Sequence, residues 1–211
     1  MGNRCTIKSK GDATQVYLHW NGGRDSVRAF LKYCDLRGFR GFSDSYGKAR
    51  FCQIVGNFFG GGLSIGVGQK LDADNGDNGQ YIVKGWKIVG REFFDGIEQN
   101  EYELRRMLHS INIKQPECER LPDCVINNRP ILIGKVKIGD VLYVRNYENF
   151  EKFTVMGFGA DEIVNGTNVL GLPFVNRYGQ NRHNINNYIQ HGQKVWKEKR
   201  GQQCDMILTN F

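Results

Sequence analysis

The most suggestive short motif is a run of six residues that lies between a strand-like and a helix-like segment, Asn21-Gly22-Gly23-Arg24-Asp25-Ser26. The first N–H groups of a helix have no partner within the helix, so they can hold a phosphate at the preceding turn. Glycines let a phosphate approach the backbone without a Cβ atom in the way, Arg24 adds positive charge, and the Ser26 hydroxyl can donate a hydrogen bond. The motif therefore predicts a phosphate-binding turn.

The same six residues fit other interpretations. In the plainest one the glycines form a turn, Asp25 or Ser26 caps the helix, and nothing binds. The motif also resembles the phosphate loop of the PP-loop ATP pyrophosphatases, Ser-Gly-Gly-x-Asp-Ser, and differs from its fixed positions only at Asn21. That resemblance implies an enzyme that adenylates a substrate with ATP and magnesium. Without it, no cofactor is predicted, and the motif indicates phosphate or nucleotide binding without catalysis.

A second set of candidate binding residues lies between residues 176 and 200. This segment contains six Lys and Arg residues and a single acidic residue, Glu198. Cationic side chains neutralise phosphates, Asn and Gln read base edges, and aromatic rings stack on bases. The segment predicts a nucleic-acid-binding surface, and its candidate residues are Arg177, Tyr178, Arg182, His183, Tyr188, Lys194, Trp196 and Lys197. The alternative is a solvated basic surface whose aromatic residues belong to the core.

The overall composition agrees with an anionic partner. The 211 residues include 29 Lys and Arg against 22 Asp and Glu, a net charge of +7. Such a balance favours a polyanion or a phosphate-bearing ligand. The chain has a mean hydropathy of -0.49, and it holds no apolar run long enough for a membrane-spanning helix, so no membrane partner is predicted.

The six cysteines do not predict a metal site or a disulfide framework. They are scattered, with no Cys-x-x-Cys pair, and the four histidines complete no zinc-ligand spacing. Cys34 and Cys52 fall on apolar helical positions and are interpreted as small hydrophobic residues. We therefore expect a reduced, cytoplasmic protein. The first ten residues lack the apolar stretch of a secretory signal.

Hydrophobic periodicity predicts the elements around the Gly-Gly motif. A strand is expected over 15–20, followed by a helix whose apolar residues recur at helical spacing, Val27, Phe30, Leu31 and Cys34. A second helix is predicted over 46–59, ending at the glycines 60–62, with an inward face of Ala49, Cys52, Val55 and Phe59.

The rest of the first half predicts a hairpin and a third helix. Strands over 63–67 and 81–89 are separated by 72–79, which contains two Asn-Gly dipeptides, so we expect them to pair. A helix is predicted from about 98 to 111, with an inward face of Leu104, Met107, Leu108 and Ile111.

The pattern changes after residue 115. Residues 116–130 are polar, contain three of the four prolines, and are predicted to form a linker. Short β-rich segments follow over 130–134, 136–145, 150–158 and 168–172. We therefore expect an α+β protein, with a mixed α/β domain over 1–115 and a β-rich domain, a small barrel or sandwich, over 131–211.

Beyond the Gly-Gly motif, residues 1–115 resemble a small uncharacterised family of proteins found in bacteria and on their phages and plasmids. The segments that carry this resemblance are Tyr17-Leu-His-Trp-Asn-Gly-Gly-Arg-Asp-Ser, Cys52-Gln, Gly56-Asn-Phe-Phe-Gly, Asp77-Asn-Gly and Glu98-Gln-Asn-Glu-Tyr. The resemblance implies an accessory protein that counters host defence, such as CRISPR or nucleotide-signalling immunity, by binding nucleic acid, a nucleotide or a host defence protein. Binding is therefore favoured over catalysis.

Overall fold

A computed structural model describes residues 3–61, 64–69, 71, 77–98, 100–127, 137, 139–146, 149–159, 163–164, 167–168, 172–177, 180–184 and 195–198. The chain divides into two compact units, Met1–Leu121 and Pro122–Phe211. The first unit holds a mixed sheet with helices, and the second holds mainly antiparallel strands. The predicted α+β class is confirmed. No helix in the described part of the chain has the length and apolar character needed to cross a membrane.

The first unit is built on a five-stranded sheet in the order β3-β2-β1-β4-β5. Its strands are β1 (Cys5–Ser9), β2 (Gln15–Leu18), β3 (Ile65–Gly68), β4 (Gln80–Lys84) and β5 (Lys87–Glu92). The β1 and β4 strands are parallel, and the other neighbouring strands are antiparallel. The order places β5 at one edge of the sheet, where its only neighbour among the described strands is β4.

The predicted hairpin between 63–67 and 81–89 is wrong. The β3 strand pairs with β2, in a register that sets Gln15 opposite Gly68, and β2 and β1 lie between β3 and β4. The 81–89 segment is itself folded into the β4–β5 hairpin at Gly85, whose φ of 60° suits a tight turn. Asn-Gly dipeptides indicate a change of direction, but they do not specify which strand the chain returns to.

Two helices follow the Gly-Gly motif, α1 (Arg24–Arg37) and α2 (Ser45–Phe59). The predicted apolar stripe of α1 is confirmed, since its four residues are all buried. The α2 helix ends at Gly60, as predicted, but its buried side chains are Lys48, Phe51, Ile54 and Val55. Ala49, which we expected on the inward face, is exposed. The inward face therefore includes Lys48, whose ammonium group pairs with the Asp12 carboxylate and lies over the Phe42 ring.

The third helix, α3 (Leu104–Ile113), starts later than predicted because Glu103 is its N-cap. Its buried residues include Met107, Leu108 and Ile111. The α3 helix packs against α1, and the Tyr33 hydroxyl donates a buried hydrogen bond of 2.7 Å to Asn112 Oδ1.

The predicted linker over 116–130 contains ordered structure. It includes a 3₁₀ helix, Glu117–Glu119, and α4 (Asp123–Asn127), while residues 128–130 lie outside the described residues. Leu121 is buried, and its N–H and C=O both bond to the Asn112 side chain. The boundary between the two units therefore comes directly after Leu121, a residue that is hydrogen-bonded to α3.

The second unit contains an antiparallel sheet in the order β11-β10-β7-β6-β12 and a two-stranded hairpin. The sheet strands are β6 (Val141–Asn146), β7 (Asn149–Gly159), β10 (Leu172–Arg177), β11 (Gln180–Asn184) and β12 (Val195–Lys197), and the hairpin pairs β8 (Ile163–Val164) with β9 (Thr167–Asn168). The described strands form an open sheet, so the barrel alternative is wrong for them. The strand predicted over 130–134 lies outside the described residues.

Candidate anion-binding site

A groove with a volume of about 490 Å³ lies where α1, β5 and the first residue of α3 meet. We call it the basic groove, and the residues that line it are Arg24, Arg28, Leu31, Lys32, Trp86, Lys87, Ile88 and Leu104. A smaller cavity of about 230 Å³, the side recess, shares Arg24, Arg28 and Leu104 with it. The recess is completed by Asp25, Asn100 and Tyr102.

The α1 helix places three of the four groove cations. Arg24, Arg28 and Lys32 are spaced four residues apart, so they follow one another along one side of the helix. The apolar stripe of α1 is buried in the core, which leaves this basic side partly exposed. Lys87, the fourth cation, comes from the first position of the edge strand β5.

The groove cations are only partly neutralised. Arg24 Nε lies 3.8 Å from Glu98 Oε1, and Lys32 Nζ lies 2.7 Å from Asp35 Oδ2. The side chains of Arg28 and Lys87 make no hydrogen bond or ion pair with any residue that the structure describes. Four neighbouring cations focus a positive potential on a concave surface and thereby raise the local concentration of an anion.

Trp86 supplies a fixed apolar surface in the groove. Its indole N–H donates to the Phe39 carbonyl at 3.0 Å. Its ring is stacked on Phe51, with 6.5 Å between the centroids and 21° between the planes, and meets Phe42 edge to face. The hydrogen bond and both ring contacts hold the indole in one position. The half-exposed part of the Trp86 ring is therefore already ordered before a ligand binds.

The Gly-Gly motif itself is packed against the N-terminal segment. The Gly22 N–H donates to the Asn3 carbonyl at 2.7 Å, and the Gly22 carbonyl accepts from the Tyr81 hydroxyl at 3.1 Å. A Cβ at Gly22 would lie 2.6 Å from the Arg4 carbonyl carbon. The glycine is thus required by backbone packing. Asn21 before it has a φ of 54°, and neither residue lines the groove or the recess.

The prediction that Asp25 or Ser26 caps α1 is wrong. The N-cap is Gly23, which is buried and forms no side-chain cap bond, and the helix begins at Arg24. Ser26 is fully buried, and its hydroxyl has no hydrogen-bond partner among the described residues. Of the six motif residues, the structure brings Arg24 to both cavities and Asp25 to the recess.

Asp25 holds the chain that precedes α3. Its Oδ2 accepts the backbone N–H groups of Glu101 at 2.6 Å and of Tyr102 at 2.7 Å, while its Oδ1 accepts the Ser26 N–H at 2.7 Å. Both carboxylate oxygens are therefore engaged in backbone contacts. This arrangement fixes one wall of the side recess, to which Tyr102 contributes.

Replacing Asp25 with alanine is expected to loosen the 100–103 segment, because two backbone N–H groups lose a charged acceptor. Hydrogen bonds to charged groups contribute about 1.5–3 kcal/mol, and the exposed setting of these bonds reduces that to about 1 kcal/mol. Hydrogen exchange of the Glu101 and Tyr102 amides measures the effect. An Asp25→Asn variant retains an acceptor oxygen and should exchange more slowly than Asp25→Ala; equal exchange in wild type and both variants would contradict the assignment.

The beginning of α3, beside the groove, depends on a second carboxylate. The backbone N–H groups of Arg105 and Arg106 donate to Glu103 at 3.0 and 2.9 Å, and these bonds hold the pKa of the Glu103 carboxyl below its usual value. Because the pKa is lower in the folded protein, this support for the helix start is present above the unfolded pKa. It is lost as the pH falls through the folded pKa.

The structure gives backbone positions for three candidate residues of the C-terminal segment. Arg177 ends β10, Arg182 and His183 lie in β11, and Asn176 of β10 pairs with Arg182. These strands are neighbours, so the two arginines come from adjacent positions in one sheet. Tyr178, Tyr188 and Lys194 lie outside the described residues.

The predicted stacking role of Trp196 is wrong, and Lys197 is already paired. Trp196 is 1% exposed and packs edge to face on Phe150, with 5.5 Å between the ring centroids. A ring that is buried in this way has no face to offer a base. Lys197 Nζ lies 2.6 Å from Oδ2 of the buried Asp140, so this carboxylate neutralises its charge.

Of the described cysteines, Cys5, Cys34 and Cys124 are buried, Cys52 is half-buried and Cys118 is exposed. Cys5, Cys34, Cys52, Cys118 and Cys124 are all free thiols. Burial raises the pKa of Cys52 to about 11 and that of Cys34 well above its usual value, so both are protonated at neutral pH. In the part of the chain that the structure describes, His, Cys, Asp and Glu form no cluster that could hold a metal ion.

Sequence reasoning missed Arg28, Lys32 and Lys87 as site residues. The four-residue spacing of Arg24, Arg28 and Lys32 within a predicted helix is a signal that could have found the first two. Lys87 and Trp86 reach the groove because the β4–β5 hairpin brings β5 beside α1, whereas the sequence predicted one continuous strand over 81–89.

Searches with this chain against protein-family models, curated proteins and solved structures find no match.

Proposed function

We propose that the protein binds a phosphate-bearing ligand, a nucleic acid or a nucleotide, in the basic groove. The observation that carries the proposal is the convergence of Arg24, Arg28, Lys32 and Lys87 on one cavity. Arginine is suited to bidentate contacts with phosphate oxygens, and lysine adds a point charge. A volume of about 490 Å³ also lies within the range of ligand-binding pockets.

The lining residues support binding rather than catalysis. They are mostly cationic or apolar, and the single carboxylate among them, Asp25, is engaged by three backbone N–H groups. These three contacts hold both oxygens of the Asp25 carboxylate in place at the recess wall. Asp25 is therefore assigned to the support of the recess wall.

In its biological setting, the protein is proposed to be a cytoplasmic accessory protein of a phage or other mobile element. The resemblance of residues 1–115 to proteins of bacteria, phages and plasmids supports this role, as does a groove suited to anions. By occupying or withholding a nucleic acid or nucleotide, such a protein interferes with a host defence that depends on that ligand.

An Arg28→Glu variant is expected to lower the affinity for a short single-stranded RNA by about 10- to 100-fold, because a charged hydrogen bond of about 1.5–3 kcal/mol is lost. The dependence of log K on log salt should also become shallower by about 0.7 for each lost phosphate contact. Fluorescence anisotropy across a salt series measures both quantities. The matched control is Arg106→Glu, which makes the same change in charge at an exposed position outside the groove.

If both variants weaken binding equally, the groove is not the binding site and the proposal fails. Incubation of the wild-type protein with ATP and magnesium tests the catalytic alternative. Binding without pyrophosphate release agrees with a binding protein, whereas steady release of pyrophosphate overturns that assignment in favour of an adenylating enzyme.

A further inference from the structure

We propose that the basic groove recognises one nucleoside phosphate unit, with its phosphate at Arg24 and Arg28 and its base against the apolar lining. This inference rests on the proposed function and assigns separate parts of the groove to the two parts of the ligand.

The two arginines mark the position of the phosphate. Arg24 and Arg28 line both the basic groove and the side recess, so they lie where the two cavities meet. A phosphate at this position is within the reach of both guanidinium groups. Among the described residues, Arg28 has no partner, and the partner of Arg24 is the Glu98 carboxylate at 3.8 Å. Lys32 and Lys87 lie in the groove alone and add to the potential there.

The apolar residues mark the position of the base. Trp86, Ile88 and Leu104 are partly exposed and line the groove together with the cations and the buried Leu31. A simple anion such as inorganic phosphate does not use this surface, whereas a planar base covers it and gains from its burial. Because Trp86 is fixed by its bond to Phe39 and its ring contacts, little ordering accompanies base binding.

The edge position of β5 adds polar recognition. Among the described strands, β5 has a partner only on the β4 side. An edge strand presents backbone N–H and C=O groups on its free side, and the hydrogen-bonding edge of a base can pair with such groups. Lys87 and Ile88 of this strand both line the groove, so a base bound there lies close to the β5 backbone.

The test compares the affinities of AMP, GMP, CMP and UMP with that of ribose 5-phosphate by isothermal titration calorimetry. The best nucleotide is expected to bind at least about fivefold more tightly than ribose 5-phosphate, since contact with a base contributes a gain of about 5- to 150-fold at other stacking sites. Ile88→Ala should reduce that preference about threefold or more through the loss of apolar contact. Val89→Ala, at an exposed neighbouring position on the same strand, is the control and should keep the preference.

The failures of the two proposals are distinguishable. Equal affinities for nucleotide and ribose 5-phosphate, both lost in Arg28→Glu, overturn the base subsite and leave anion binding in place. Nucleotide binding that is unaffected by Arg28→Glu overturns both proposals, and so does binding of a polyglutamate peptide without nucleotide or RNA binding. Competition between the best nucleotide and a labelled single-stranded RNA then identifies the natural source of the nucleoside phosphate. Displacement at equal affinity indicates a free nucleotide, and tighter binding of the RNA indicates one unit of a strand. Both outcomes support the subsite.

Discussion

Replacing Gly22 with alanine is expected to destabilise the first unit by about 3 kcal/mol, the upper part of the range for overpacked sites. The new Cβ would lie 2.6 Å from the Arg4 carbonyl carbon and 2.7 and 2.8 Å from the Asn3 and Arg4 carbonyl oxygens. All three are backbone atoms, so they cannot move aside as the end of a flexible side chain can. Relief requires the backbone of Asn3 and Arg4, just before β1, to shift, which weakens the bond from the Gly22 N–H to the Asn3 carbonyl.

The measurement is the free energy of unfolding from urea denaturation, followed through hydrogen exchange of the α1 amides so that the first unit is observed by itself. Gly61→Ala is the matched control, because its Cβ would have no neighbour within 4 Å. We expect a change within about 0.5 kcal/mol for the control. Similar stabilities for the two variants would show that the close approach at Gly22 is relieved at no cost.

This expectation changes how binding data on the Gly-Gly motif should be interpreted. A glycine that accommodates a phosphate and a glycine that accommodates neighbouring backbone have the same sequence signature. Loss of ligand in a Gly22 variant therefore does not distinguish a lost phosphate contact from destabilisation of the fold. Arg28, which is exposed and lacks a partner among the described residues, gives a test of the groove that leaves the core intact.

The sequence predicts local elements of the first unit well because their signals are local. The periodicity of Val27, Phe30, Leu31 and Cys34 defines the inner face of α1, and Gly60 defines the end of α2. The pairing of β3 with β2 is not predictable in the same way. Strand partners are chosen by the burial of the whole sheet, and a turn dipeptide carries no information about a neighbour that is distant in the chain.

The candidate site was predicted in part for the same reason. Arg24 was identified through the motif, but the remaining groove cations are defined by where α1 and β5 meet. Asp25 was expected to cap the helix, since an acidic residue near a helix start usually does. Its carboxylate instead accepts N–H groups from residues 76 and 77 positions further along the chain. Such a contact depends on tertiary structure and has no local signal.

The two basic regions of the chain differ in what their charges do. In the C-terminal segment, Lys197 pairs with the buried Asp140, so its charge contributes to the structure of the second unit. In the groove, Arg24 lies 3.8 Å from the Glu98 carboxylate and Lys32 forms an exposed pair with Asp35. Arg28 and Lys87 have no partner among the described residues. Exposed pairs contribute about 0–1 kcal/mol, so an anion displaces them at little cost. The groove cations are thus better placed to bind an anion than Lys197 is.

Replacing Trp196 with alanine is expected to destabilise the second unit by about 3–5 kcal/mol, the usual cost of removing a large aromatic side chain from a core. Trp196 is 1% exposed, contacts Phe150, and lies on β12 opposite Tyr143 of β6. Its indole N–H has no hydrogen-bond partner among the described residues, so Trp196→Phe loses no hydrogen bond and should cost less than the alanine variant. Denaturation followed through β6 amide exchange measures these differences. Glu198→Ala, which removes an exposed pair with Lys152 at 3.6 Å, is the control with an expected change below about 1 kcal/mol.

The phenylalanine variant also distinguishes a core role of Trp196 from a stacking role, because it preserves the fold. We expect its affinity for single-stranded RNA to equal that of the wild type. A selective loss of single-strand binding in a stable Trp196→Phe protein would assign this residue to the binding surface.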